Sequence, residues 1–76
     1  MIVEVFGKVL RECREKSNLS QEKLAEYCDL DRTYISMLER GLRQPTITTI
    51  FKLAKALDLS PSELIRKVEI QMKPKD

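Results

Sequence analysis

Seventy-six residues leave room for one small domain, and a chain of this length buries only about 60% of the surface its unfolded form exposes. Apolar residues are 42% and charged residues 34%, which fits a folded chain in water and excludes a disordered one. No apolar run approaches the roughly 20 residues of a membrane span, and the opening MIVEVF lacks the basic region and apolar stretch of a signal peptide. A cytoplasmic protein is expected. Histidine is absent, which removes Ser–His and Cys–His catalysis and the commonest metal ligand. Neither an enzyme nor a bound cofactor or metal is expected.

Net charge is +2, and its distribution says more than its size. Residues 1–31 carry five basic and seven acidic side chains, and residues 56–76 balance. Between them Arg32, Arg40, Arg43, Lys52 and Lys55 face Glu39 alone. A basic middle in a nearly neutral chain is either a solvated surface or the footprint of a polyanion. Cys13 and Cys28 make a poor zinc site without histidine and read as small buried hydrophobes of a reducing compartment.

The chain reads as five helices separated by short punctuation. Phe6, Val9, Leu10 and Cys13 recur at i, i+3, i+4 and i+7, marking an amphipathic first helix that ends near Lys16, where Ser17-Asn18 breaks it. Ser20 caps a second helix with Leu24, Ala25 and Cys28 inward; Lys23 stands where a reciprocal capping box needs Glu. Asp31 caps a third helix with Ile35 and Leu38 inward, stopped by Gly41 in a left-handed conformation. Pro45-Thr46 opens a fourth, with Ile47, Ile50, Phe51, Ala54 and Leu57 read as one buried stripe. Ser60-Pro61-Ser62-Glu63 is a full capping box that starts a fifth. Only the two ends leave an extended alternative open, through the alternation of Val3 with Val5 and of Val68, Ile70 and Met72. A frayed tail is expected over about 69–76. The expected fold is all-α, one domain over residues 1–76.

The informative stretch is SQEKLAEYCDLDRTYISMLER, residues 20–40. Two short helices are joined by a turn. Ala25 permits close approach, and Leu30 with Ile35 locks the crossing. The opposite face of the third helix is left polar, with Arg32, Thr33, Ser36 and Tyr34. A planar bidentate donor, hydroxyls and an aromatic on one exposed helix suit the major groove of DNA, where Arg reads guanine and Thr or Tyr meets a thymine methyl.

From Phe6 to Val68 the chain resembles the Xre-type, lambda-repressor-like helix-turn-helix family. The matching strings are FGKVLRECREKSNLSQEKLAEYC, LDRTYISMLERGLRQPT and IFKLAKALDLSPSEL. DRTYIS followed by LERG resembles the controller proteins of restriction–modification systems more than phage repressors or antitoxins. The resemblance implies a compact five-helix DNA-binding domain, with the helix-turn-helix at about residues 20–39 and the recognition helix at about 32–39. It implies a sequence-specific regulator that binds a two-fold operator in double-stranded DNA as a homodimer. No small-molecule effector or membrane partner is expected. One departure stands in the turn, where the family usually has Gly and this chain has Asp29.

Carried over by residue, the resemblance assigns Gln21 to a phosphate and a base. Arg32, Thr33, Tyr34 and Ser36 are assigned to base reading with Met37 at the margin, and Arg40, Arg43, Thr46 and Thr48 to the DNA backbone. It also pairs Arg14 with Glu39. Each assignment has an alternative. Arg32 is otherwise a solvated arginine; Tyr34 packs on the second helix; Arg40 serves only the helix end; Gln21 and Thr46 are helix-start residues; Arg14 and Glu39 are independent surface charges. Leu59, Ile65 and Val68 are expected at the dimer interface, with a completed monomer core as the alternative. A protein-interaction module such as an antitoxin, using the two chain ends as partner surface, is the competing function.

Overall fold

In the computed structural model, which describes residues 1–73, five helices follow one another: α1 (Ile2–Lys16), α2 (Gln21–Cys28), α3 (Arg32–Glu39), α4 (Ile47–Ala56) and α5 (Pro61–Met72). Their starts follow from side chains that bond otherwise orphaned N–H groups. Ser20 accepts from the Lys23 N–H, Thr46 from Thr49 and Ser60 from Glu63. Glu63 returns the bond to the Ser60 N–H at 2.7 Å, completing the capping box. Asp31 holds the cap position of α3 in extended backbone, but its side chain makes no capping bond.

Four helices end in the same way. Asn18, Asp29, Gly41 and Asp58 adopt φ of 58, 55, 73 and 59°. Each is followed by a leucine whose N–H reaches back to a carbonyl five residues earlier: Leu19 to Arg14, Leu30 to Ala25, Leu42 to Met37 and Leu59 to Ala54. This is the Schellman closure, which needs a left-handed residue, and Asn and Asp are the non-glycine types that tolerate it best. Asp29 therefore fills the helix-turn-helix turn without altering it. Leu19, Leu30 and Leu59 then fold back on the core, whereas Leu42 stays exposed.

α1 packs against α3 and α5, α2 against α3 and α4, and α4 against α5. Leu10, Leu24, Ile35, Leu38, Leu53 and Leu64 are fully buried where these helices meet. α1 approaches the end of α3 closely at Gly7. A Cβ there would collide with the backbone carbonyl oxygens of Leu38 and Glu39, so glycine lets α1 lie directly on the end of α3.

Three expectations are corrected. The stripe read on α4 is rotated: Thr49, Leu53, Ala54 and Leu57 are buried, Ile50 is half-buried, and Ile47 and Phe51 are exposed. Thr49 can be buried because its hydroxyl accepts from Thr46 at 3.0 Å. The ends are helical, with α1 starting at Ile2 and α5 running to Met72, so residues 69–72 of the expected tail belong to a helix. Residues 74–76 of that tail lie outside the described residues. Val68, expected at an interface, is 3% exposed and packs in the core with Leu64, one helical turn away.

Candidate nucleic-acid interface

The site is built on the crossing of α2 and α3, where Ala25 and Ile35 are buried and Leu30 packs against the core they belong to. A polar clamp holds the crossing from behind. Arg14 donates from Nε and Nη2 to the two carboxylate oxygens of Glu39, at 2.6 and 3.0 Å. Its remaining Nη1 donates to the Leu19 carbonyl at 2.8 Å, just before α2. Gln21 Nε2 donates to Glu39 Oε1 at 3.0 Å. The side chains of Arg14 and Glu39 are only 11% and 3% exposed, so these bonds are shielded from water. The bonds to Glu39 hold the Arg14 guanidinium above its ordinary pKa.

With its rear fixed, α3 presents one face outward. At 100° per residue Arg32, Ser36, Arg40, Thr33 and Met37 fall within one arc, opposite Ile35 and Leu38. Arg32, Thr33 and Arg40 are exposed, while Ser36 and Met37 are half-buried. Tyr34 lies outside that arc, on the side of Leu38, and packs part of its surface against the core. It nevertheless lines a shallow concavity with Thr33, Met37 and Arg43, so four of the assigned residues share one surface. Asp29 and Asp31 line the same concavity and bring negative charge to it.

Arg43 and Thr48 are exposed, in the loop after α3 and in the first turn of α4. No acidic side chain stands in that first turn, so the positive end of the α4 dipole is left unopposed by its own helix. Thr46 is different. Its hydroxyl bonds both the Thr49 N–H and the Thr49 hydroxyl, making it a capping residue. Gln21 likewise has one amide proton committed to Glu39.

Of the residues assigned to an interface between copies, Ile65 is 43% exposed and Leu59 is half-buried against the core. Sequence reasoning passed over Gly7, whose signal was a glycine inside an otherwise amphipathic helix. It also missed the exposure of Ile47 and Phe51, for which periodicity carries no signal. Cys13 and Cys28 are free thiols whose pKa values are pushed up by burial. Among the described residues no group of acidic and thiol side chains could hold a metal ion, and no helix is long and apolar enough to cross a membrane.

A helix-turn-helix family model (HTH_3) matches residues 10–64. The control protein C.BamHI of Bacillus amyloliquefaciens is 52% identical over 62 residues, covering 80% of this chain and 76% of that protein. C.SmaI of Serratia marcescens is 44% identical over 66 residues, covering 87% and 79%. Among solved structures, the restriction–modification controller protein C.AhdI of Aeromonas hydrophila superposes with a TM-score of 0.79 at 48% identity, covering 82% of this chain and 94% of that one. With that match spanning α2, α3 and the clamp residue Arg14, the chain belongs to the Xre-type helix-turn-helix family of DNA-binding transcription regulators, in the group that includes the restriction–modification control proteins.

Proposed function

We propose that the chain controls transcription as a homodimer on a two-fold operator, with α3 of each copy in the major groove of one half-site. The observation that carries this reading is the outward placement of Arg32 and Thr33 on the first turn of a helix whose other end is clamped through Glu39. Eight residues make α3 about 12 Å long, a length that lies within a groove of about 12 Å width. Arg32 is the bidentate reader of guanine, with Thr33, Ser36, Tyr34 and Met37 around it. Arg40, Arg43, Thr48 and the start of α4 grip phosphates and set the register. Gln21 meets a phosphate with the amide proton that Glu39 leaves free. The similarity to restriction–modification control proteins supports a regulatory role.

One helix covers only a few base pairs, so a unique address needs two copies with half-sites about one helical turn apart. Selection of bound fragments from a random DNA pool by the isolated chain tests the reading. A palindromic consensus with that spacing is expected. Binding indifferent to sequence, or DNA binding that appears only with a co-purified protein partner, would contradict it.

A further inference from the structure

Asp31 stands immediately before Arg32, at the cap position of α3, and its side chain makes no capping bond. It is exposed, and among the described residues it enters no ion pair. It lines the concavity of about 520 Å³ in front of α3 together with Thr33, Tyr34, Met37 and Arg43. The N-terminal end of a recognition helix is the end that meets base edges. A carboxylate without a partner therefore stands on the surface assigned to DNA, where phosphates repel it. Asp29, in the same concavity, is explained by the left-handed φ of 55° that closes α2. Asp31 has extended backbone that any residue adopts, so the turn does not call for an acid there.

We propose that Asp31 is a specificity residue that accepts a hydrogen bond from N4 of a cytosine and turns the other three bases away. The proposal rests on the reading of α3 as the recognition helix and adds a reader that precedes the helix itself. The base follows from the chemistry of the major groove. Guanine presents two acceptors there, adenine an acceptor beside its donor, and thymine an acceptor beside its methyl group. Cytosine presents its N4 amino donor with no acceptor on its own edge, so it is the one base that an ionised carboxylate meets without repulsion. Arg32 only donates and Asp31 only accepts, so the two consecutive residues match a guanine and a cytosine that lie close together in the groove. An unpaired charge discriminates strongly because every wrong base leaves it unsatisfied.

Selection of bound fragments from a random DNA pool by wild type, Asp31→Ser and Asp29→Asn tests this. It is followed by titration of the selected operator and of versions with single cytosines changed to thymine. Serine is a good helix cap and asparagine tolerates left-handed backbone, so both variants keep the fold, which circular dichroism and thermal melting check. Wild type is expected to need cytosine at one position of each half-site, with thymine there weakening binding about tenfold or more. Asp31→Ser is expected to cut that preference to about twofold and to tighten binding to random DNA about threefold. Asp29→Asn is expected to leave the preference as it was. Loss of the same preference in Asp29→Asn would mean that overall charge, not the position of Asp31, sets it, and would overturn the proposal. A lowered melting temperature in Asp31→Ser with every base preference unchanged would make Asp31 a helix-start residue only; this too overturns the proposal and leaves the recognition-helix reading intact. Wild-type binding indifferent to sequence would overturn that reading itself.

Discussion

Gln21 Nε2 lies 3.0 Å from Glu39 Oε1, which ties the first residue of α2 to the last residue of α3. The same carboxylate takes both donors of the Arg14 fork. One buried acid thus fixes three helices at the base of the recognition unit. The consequence is positional: α3 cannot tilt away from α2 without breaking bonds shielded from water.

Removing one partner of this clamp strands a charge. Glu39→Ala is expected to cost about 3–5 kcal/mol of unfolding free energy, because Arg14 would keep its charge with little solvent around it. A double-mutant cycle of Arg14→Met and Glu39→Leu is expected to give a coupling of about 1–3 kcal/mol by denaturant unfolding. Coupling within measurement error would show that the pair adds nothing beyond packing.

Gly7→Ala probes the crossing of α1 over α3. On helix propensity alone the substitution would stabilise α1 by about 1 kcal/mol. The added methyl group has no room, since it meets two backbone carbonyl oxygens that cannot rotate away. A net loss of about 1–3 kcal/mol is therefore expected in thermal or urea unfolding. A gain in stability would mean that the two helices are further apart than described.

The sequence carried most of the frame and about half of the site, for reasons that differ residue by residue. Ser20, Ser60 and Glu63 announce helix starts because capping is local chemistry, readable over four positions. Leu24, Ile35 and Leu38 are legible because their helices are amphipathic with one buried face. α4 was read wrongly because periodicity cannot distinguish an apolar residue that faces the core from one that faces outward. Ile47 and Phe51 share a stripe with Ile50 and Ala54, and only the packed positions of α2 and α5 reveal which part is covered. Thr49 was invisible for the opposite reason, a polar residue whose burial depends on the Thr46 hydroxyl. Gly7 and the Gln21–Glu39 bond depend on contacts between residues far apart in sequence, which composition and spacing do not encode.

Acid should loosen α5 through its capping box. The Ser60 backbone N–H, and then its hydroxyl, hold the Glu63 carboxyl below its ordinary pKa. A depressed folded value means that the contribution is fully present above the unfolded pKa and is lost as pH falls through the folded one. The stability gap between wild type and Glu63→Ala is therefore expected to be constant near neutrality and to shrink from about pH 5 to about pH 3. A gap that widens on acidification would contradict the sign of this linkage.

The central claim is that α3 reads bases while the loop after it grips phosphates, and paired titrations of Arg32→Ala and Arg43→Ala test it most directly. Each variant is measured on the selected operator and on random DNA across a series of salt concentrations. Arg32→Ala is expected to lose about 1–3 kcal/mol on the operator, little on random DNA, and preference at one base position. Arg43→Ala is expected to weaken both DNAs alike and to lower the salt slope by about one unit. Equal losses on both DNAs for Arg32→Ala, with no change in base preference, would contradict the account.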